Sequence, residues 1–120
     1  MDFEIEKDWI TEAGLRAVVI LVDHEDSSYF IDRYHRCGYV EVKKGHHLFL
    51  KSYNDIDLDD GVHGGLTYST EEINDNYPVK SNGWWFGFDC AHYKDTLEKC
   101  NLEYVINECE SLAKQLKEVE

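Results

Sequence analysis

The sequence predicts an α+β domain, a mostly antiparallel sheet packed against one long C-terminal helix. Three observations predict it. Short apolar runs, separated by glycine and polar turns, recur between residues 15 and 90. From Leu102 onward the apolar spacing changes to threes and fours. The chain is 120 residues long, with no repeat, linker or low-complexity tract, so residues 1–120 read as a single domain. An apolar share of 42% with 3 Trp, 8 Tyr and 5 Phe suffices for one compact core.

The elements follow in order. Residues 9–14 read as an opening turn. Residues 15–22 are β-branched and nearly continuous, which predicts a buried central strand. Residues 23–28 form a polar loop. Residues 34–42 alternate and end at Lys43-Lys44-Gly45, a second strand and turn. Residues 47–53 suit a third strand. Residues 54–61 are a dense acidic loop. Asp55, Asp57, Asp59 and Asp60 resemble a calcium loop but lack its sixth-position glycine and twelfth-position glutamate, which leaves a solvated loop. Residues 62–69 form a candidate strand broken by Gly64-Gly65. Residues 71–82, with the single proline Pro78, read as an insertion. Residues 84–90 are an aromatic strand, bent at Gly87. Finally Leu102, Val105, Ile106, Cys109, Leu112, Ala113, Leu116 and Val119 form one helical stripe, with Asn101 as N-cap.

Charge excludes whole classes of partner. Asp+Glu 25 against Lys+Arg 12 gives a net charge of −13, unsuited to nucleic-acid polymers or an anionic membrane surface. The longest apolar run, residues 17–22, is too short to span a bilayer. The acidic N-terminus carries no secretory pattern, so a cytoplasmic location is expected. Cys37, Cys90, Cys100 and Cys109 lack CxxC spacing and read as free thiols.

Two strings concentrate the chemistry: His63-Gly64-Gly65-Leu66-Thr67-Tyr68-Ser69 and Gly83-Trp84-Trp85-Phe86-Gly87-Phe88-Asp89-Cys90-Ala91-His92. On a regular strand Trp84, Phe86, Phe88 and Cys90 share one face, and Trp85 and Asp89 the other. Cys37, His63, Cys90 and His92 supply zinc-type donor atoms, but without metal-motif spacing. Neither metal nor cofactor is assigned, and the cysteines read as small buried hydrophobes. His24, His46 and His47 show no partner signal. A Cys90–His63–Asp89 nucleophilic set can be drawn, although Asp89 faces away from Cys90 on a strand.

These strings, with His35-Arg36-Cys37-Gly38-Tyr39-Val40 and the helical run beyond Tyr104, resemble an uncharacterised family of small proteins of phages and prophage-bearing bacteria. The family pattern after His92 is a small residue, Gly and Asp. Here Tyr93-Lys94-Asp95 keeps only the aspartate. The resemblance implies a setting in the host bacterial cytoplasm and a class of task, countering bacterial defence.

The leading expectation is therefore a binding protein for a small, flat, anionic, nucleotide-derived ligand such as an immune signal. His63, Gly64, Gly65, Thr67, Tyr68, Asp89 and His92 would meet the ligand, Trp84 or Trp85 would stack on it, and Arg36 would neutralise charge. The alternative is a small His/Asp/Cys-dependent hydrolase acting on such a ligand, so enzyme status stays open. A third class is an acidic antagonist of a basic protein surface. The helix stripe also leaves a homodimer contact open.

Overall fold

The computed structural model describes residues 2–24, 33–58, 60–71, 82–92 and 94–119. Residues 72–81 of the proposed insertion, most of the polar loop at 23–28, and Asp59 lie outside them. Among the described residues five strands are formed: β1 (Asp2–Ile10), β2 (Arg16–Asp23), β3 (Tyr34–Val42), β4 (Tyr68–Thr70) and β5 (Trp84–Asp89). A short 3-10 turn spans Tyr53–Asp55, and one α-helix, α1 (Leu102–Glu118), ends the described fold. The spatial order is β1-β2-β3-β5-β4, with every neighbouring pair antiparallel. This is the expected α+β fold.

β2 lies inside the sheet, but β3 occupies its middle. The apolar run of β2 is continuous because both of its faces are buried. Ala17 and Val19 face α1, while Val18, Ile20 and Val22 join Cys37, Tyr39 and Trp85 on the opposite face. Against the α1 face pack Val105, Cys109, Leu112, Ala113 and Leu116, each fully buried. A buried side chain of this size contributes about 1.5–3 kcal/mol. Gly38 lets the helix approach: a Cβ there would lie 2.6 Å from Phe88 Cζ and 2.7 Å from Cys109 Sγ. Asn101 caps α1, its side chain accepting from Tyr104 N at 2.9 Å.

Three expectations need correction. Before the opening turn the chain forms β1, an edge strand so charged that its alternation hides among carboxylates. Those charges also deter edge-to-edge pairing. Residues 47–53 are not a strand. Their backbone closes successive tight turns, Phe49 N to His46 O and Lys51 N to Leu48 O, and Leu50 has φ 67°. His46 fixes this path, because its Nε2 donates to Leu116 O at 2.8 Å and its Nδ1 accepts from Leu48 N at 2.9 Å. It is buried with both ring nitrogens hydrogen-bonded, partners that were not legible in the sequence. In residues 62–69 only Tyr68 and Ser69 enter the sheet, since Val62 to Gly65 close a turn.

Candidate functional site

The site forms where three segments meet at the C-terminal end of β5. The first is the double-glycine turn, closed by Gly65 N donating to Val62 O at 2.8 Å. Gly64 (φ 67°) holds the third position of that turn, where a positive φ favours glycine. The second segment follows β5. Asp95 N donates to His92 O at 2.9 Å, and Asp95 Oδ2 accepts from His92 N at 3.0 Å, closing the turn from both sides. The third is the start of α1, with Cys100 just ahead of the cap and Tyr104 and Glu108 one turn apart.

His63 joins all three. Its Nε2 donates to Asp95, with Oδ1 at 2.9 Å and Oδ2 at 3.0 Å. Its Nδ1 lies 2.7 Å from Tyr104 Oη, and its backbone N donates to Glu108 Oε1 at 2.8 Å. In the neutral ring, therefore, Tyr104 donates to Nδ1 while Nε2–H serves Asp95. His92 packs edge-on to His63, with centroids 5.9 Å apart, and its Nδ1 lies 3.2 Å from Asp95 Oδ2 and 3.5 Å from Asp89 Oδ1. The His92 ring fills the space that a Cβ on Gly64 would need. A polar chain thus runs from Asp89 through His92, Asp95 and His63 to Tyr104.

Environment sets the protonation of these groups. Burial works against the charged form of Asp95, but hydrogen bonds from the His63 ring and from His92 outweigh it and lower the pKa. Burial, helped by the Glu108 carboxylate, pushes Tyr104 up to about 12. Burial likewise raises the thiols of Cys90 and Cys100. A protonated thiol is a poor nucleophile, which removes weight from a Cys90-based mechanism.

On the face opposite α1 a cleft of about 470 Å³ opens beside this chain. His35, Tyr39, Thr67, Tyr68, Asp89 and His92 contribute to its wall. His35 stacks on His24 with centroids 4.4 Å apart, and burial and that neighbour lower its pKa to about 4.

The double-glycine segment and the end of the tryptophan strand therefore do meet. Thr67, Tyr68, Asp89 and His92 line the cleft, His63 and Gly64 stand directly behind it, and Gly65 completes the turn. The remaining sequence-derived residues are elsewhere. Trp85 is 1% exposed in the core, beneath the Arg16 guanidinium. Trp84 points to the other face and donates Nε1–H to Lys51 O at 2.8 Å. Arg36 clasps Glu6, with Nε to Oε1 at 2.7 Å, and donates to Cys100 O at 3.1 Å. Neither tryptophan can stack in the cleft: alternation turns Trp84 and the Arg36 guanidinium to the α1 face, and Trp85, although on the face of the cleft, is buried under Arg16.

Sequence reasoning passed over Asp95, Cys100, Tyr104 and His35. Asp95 carried a signal only as an aspartate that the expected resemblance would retain. The others become partners only through the fold. A larger groove of about 960 Å³ at the other end of the sheet is lined by Arg16, Glu41, Lys43, Lys44 and Lys117, among others, and contains none of the sequence-derived site residues.

No family model, curated protein or solved structure matches the chain. No helix among the described residues is long and apolar enough to cross a membrane.

Proposed function

We propose that the chain is a small-molecule-binding protein and that its ligand is nucleotide-derived. The observation that carries this reading is the cleft formed by Tyr68, Tyr39, His35, Asp89 and His92. Its volume suits a single small ligand, and its wall mixes aromatic faces with a few convergent hydrogen-bonding groups. Asp89 accepts from the amino or imino group of a base, and the phenols and imidazoles contact a flat ring or sugar hydroxyls. With Arg36 tied to Glu6, recognition rests on the base and sugar rather than on phosphate. The resemblance to phage proteins makes sequestration of a nucleotide-derived immune signal, in the host cytoplasm, the natural use of such a cleft. The apolar stripe of α1 is covered by the sheet, so a homodimer would use another surface.

The hydrolase alternative draws support from one feature, the His63–Asp95 pair that reaches the cleft through His92. One experiment treats both. Nucleosides and their mono-, di- and cyclic phosphates are titrated calorimetrically, and each bound mixture is then denatured and chromatographed. Binding with intact recovery, weakened at least about tenfold by Asp89→Ala or Tyr68→Ala, is expected; that factor corresponds to about 1.4 kcal/mol. Recovered product would favour the hydrolase. No binding across the panel, or variants that bind as wild type does, would overturn the cleft assignment.

A further inference from the structure

The fold brings together a donor set that chain order conceals. Cys90 Sγ, Cys100 Sγ and a ring nitrogen of His63 all lie within 4.8 Å of one another, and the two cysteines are only 3% and 2% exposed. Cys100 Sγ is 3.7 Å from His63 Nε2, and the two thiols hydrogen-bond to each other. Zinc bonds of about 2.3 Å to sulfur and 2.0–2.1 Å to nitrogen, at a tetrahedral angle, place S and N about 3.5 Å apart. The observed spacing needs only a small adjustment to match.

The backbones that carry these donors are braced. Cys90 N donates to Arg36 O at 2.9 Å, Cys100 O accepts from the Arg36 guanidinium, and Cys100 N donates to Thr96 O at 2.9 Å. His63 already has its other ring nitrogen on Tyr104 Oη, the outer partner that a ligating imidazole needs. The remaining cysteines differ. Cys37 lies on the opposite sheet face, and Cys109, packed against the Gly38 position, belongs to no such donor set among the described residues.

We propose that His63, Cys90 and Cys100 bind one zinc ion, with a fourth position open beside Asp95. Two soft thiolates and an imidazole select zinc over magnesium or calcium. Binding releases the two thiol protons to solvent and moves the ring proton from Nε2 to Nδ1, while the Tyr104 hydroxyl proton turns from Nδ1 to the Glu108 carboxylate, 3.5 Å away. His63 then donates from Nδ1 to Tyr104, and the Asp95 carboxylate, relieved of Nε2–H, faces the open position. Three protein donors and one open site are the arrangement of zinc centres that do chemistry rather than only hold a fold. The inference does not rest on the nucleotide reading, since each can fail without the other.

Elemental analysis of the purified full chain, before and after incubation with Zn²⁺ and gel filtration, tests it. About one zinc per chain is expected, and Co²⁺ in its place gives the thiolate charge-transfer and intense visible bands of a four-coordinate site. Cys90→Ser, Cys100→Ser and His63→Gln abolish stoichiometric loading, whereas Cys37→Ser retains it. Tyr104→Phe, which removes the partner of His63 Nδ1, retains the stoichiometry but binds about 10–100-fold more weakly. Circular dichroism of each variant identifies any that fail to fold. Cys100→Ser, a near-isosteric change outside the sheet and just ahead of α1, keeps the test decisive, because a folded Cys100→Ser protein that loads zinc as wild type does overturns the proposal. So does wild-type protein that takes up no zinc after reduction and incubation, or that holds a Cys90–Cys100 disulfide under reducing conditions.

Discussion

Gly64 and Gly65 share a backbone conformation but not surroundings, and that contrast tests how the site is held. Their φ values are 67° and 81°. An alanine at either position carries the left-handed penalty of about 1–2 kcal/mol. A Cβ on Gly65 meets nothing within 4 Å, whereas one on Gly64 comes within 2.8 Å of His92 Nδ1 and Nε2. The His92 ring, 38% exposed, can swing outward, but it then gives up its Asp95 and Asp89 contacts. A hydrogen bond of this partly exposed kind is worth about 1 kcal/mol. Gly65→Ala should therefore cost about 1–2 kcal/mol and Gly64→Ala about 2–3. An unfolding entropy of about 2.1 cal/mol/K per residue over 120 residues converts each kcal/mol into about 4 °C of Tm. Urea titration gives the two stabilities, and side-chain NMR of the histidines reports the ring. Equal losses for the two variants, with the His92 signals unmoved in Gly64→Ala, would refute the reasoning.

Two further outcomes follow from the packing and the charges. Gly38→Ala forces a methyl against Phe88 and Cys109 between sheet and helix, and should cost about 1–3 kcal/mol, read from the urea midpoint at unchanged m-value. His35 titrates near 4 when folded and near 6.5 when unfolded, so the unfolded chain binds more protons between those values. Stability should thus be full above about pH 6.5 and fall as pH drops toward about 4. Its burial-lowered neighbour His24 adds to the same slope, and His35→Gln should flatten it in melts across that range.

Much of the fold was legible where one residue pattern had one structural meaning. The stripe from Leu102 to Leu116, the Asn101 cap and the bounds of β3 are set by local periodicity, and the tertiary structure agrees with it. β1 was hidden because an edge strand has one flank in water and tolerates carboxylates at alternate positions. Residues 47–53 misled because apolar content suggested a strand, whereas His46 reaching to Leu116 O selects a series of turns. At the site, the sequence pointed to His63, Asp89, Cys90 and His92 because unusual residue types crowd together there. It could not give Cys100 and Tyr104, which arrive from the turn before α1 and from its first turn only after the helix docks on β3. The tryptophans drew notice by composition, but their strand positions direct them to the core and to Lys51 instead.

The arginines carry a consequence for anything anionic that approaches. The chain has three, Arg16, Arg33 and Arg36, and each is paired with a carboxylate, on Asp8, Asp23 and Glu6 respectively. None is among the cleft-lining side chains, where Asp89 stands instead. A phosphorylated molecule thus enters against the protein's own field and gains from added salt, which shields the repulsion, while an uncharged nucleoside is indifferent to it. The difference in salt dependence between a nucleoside and its phosphates thereby reports how strongly that field opposes the phosphate.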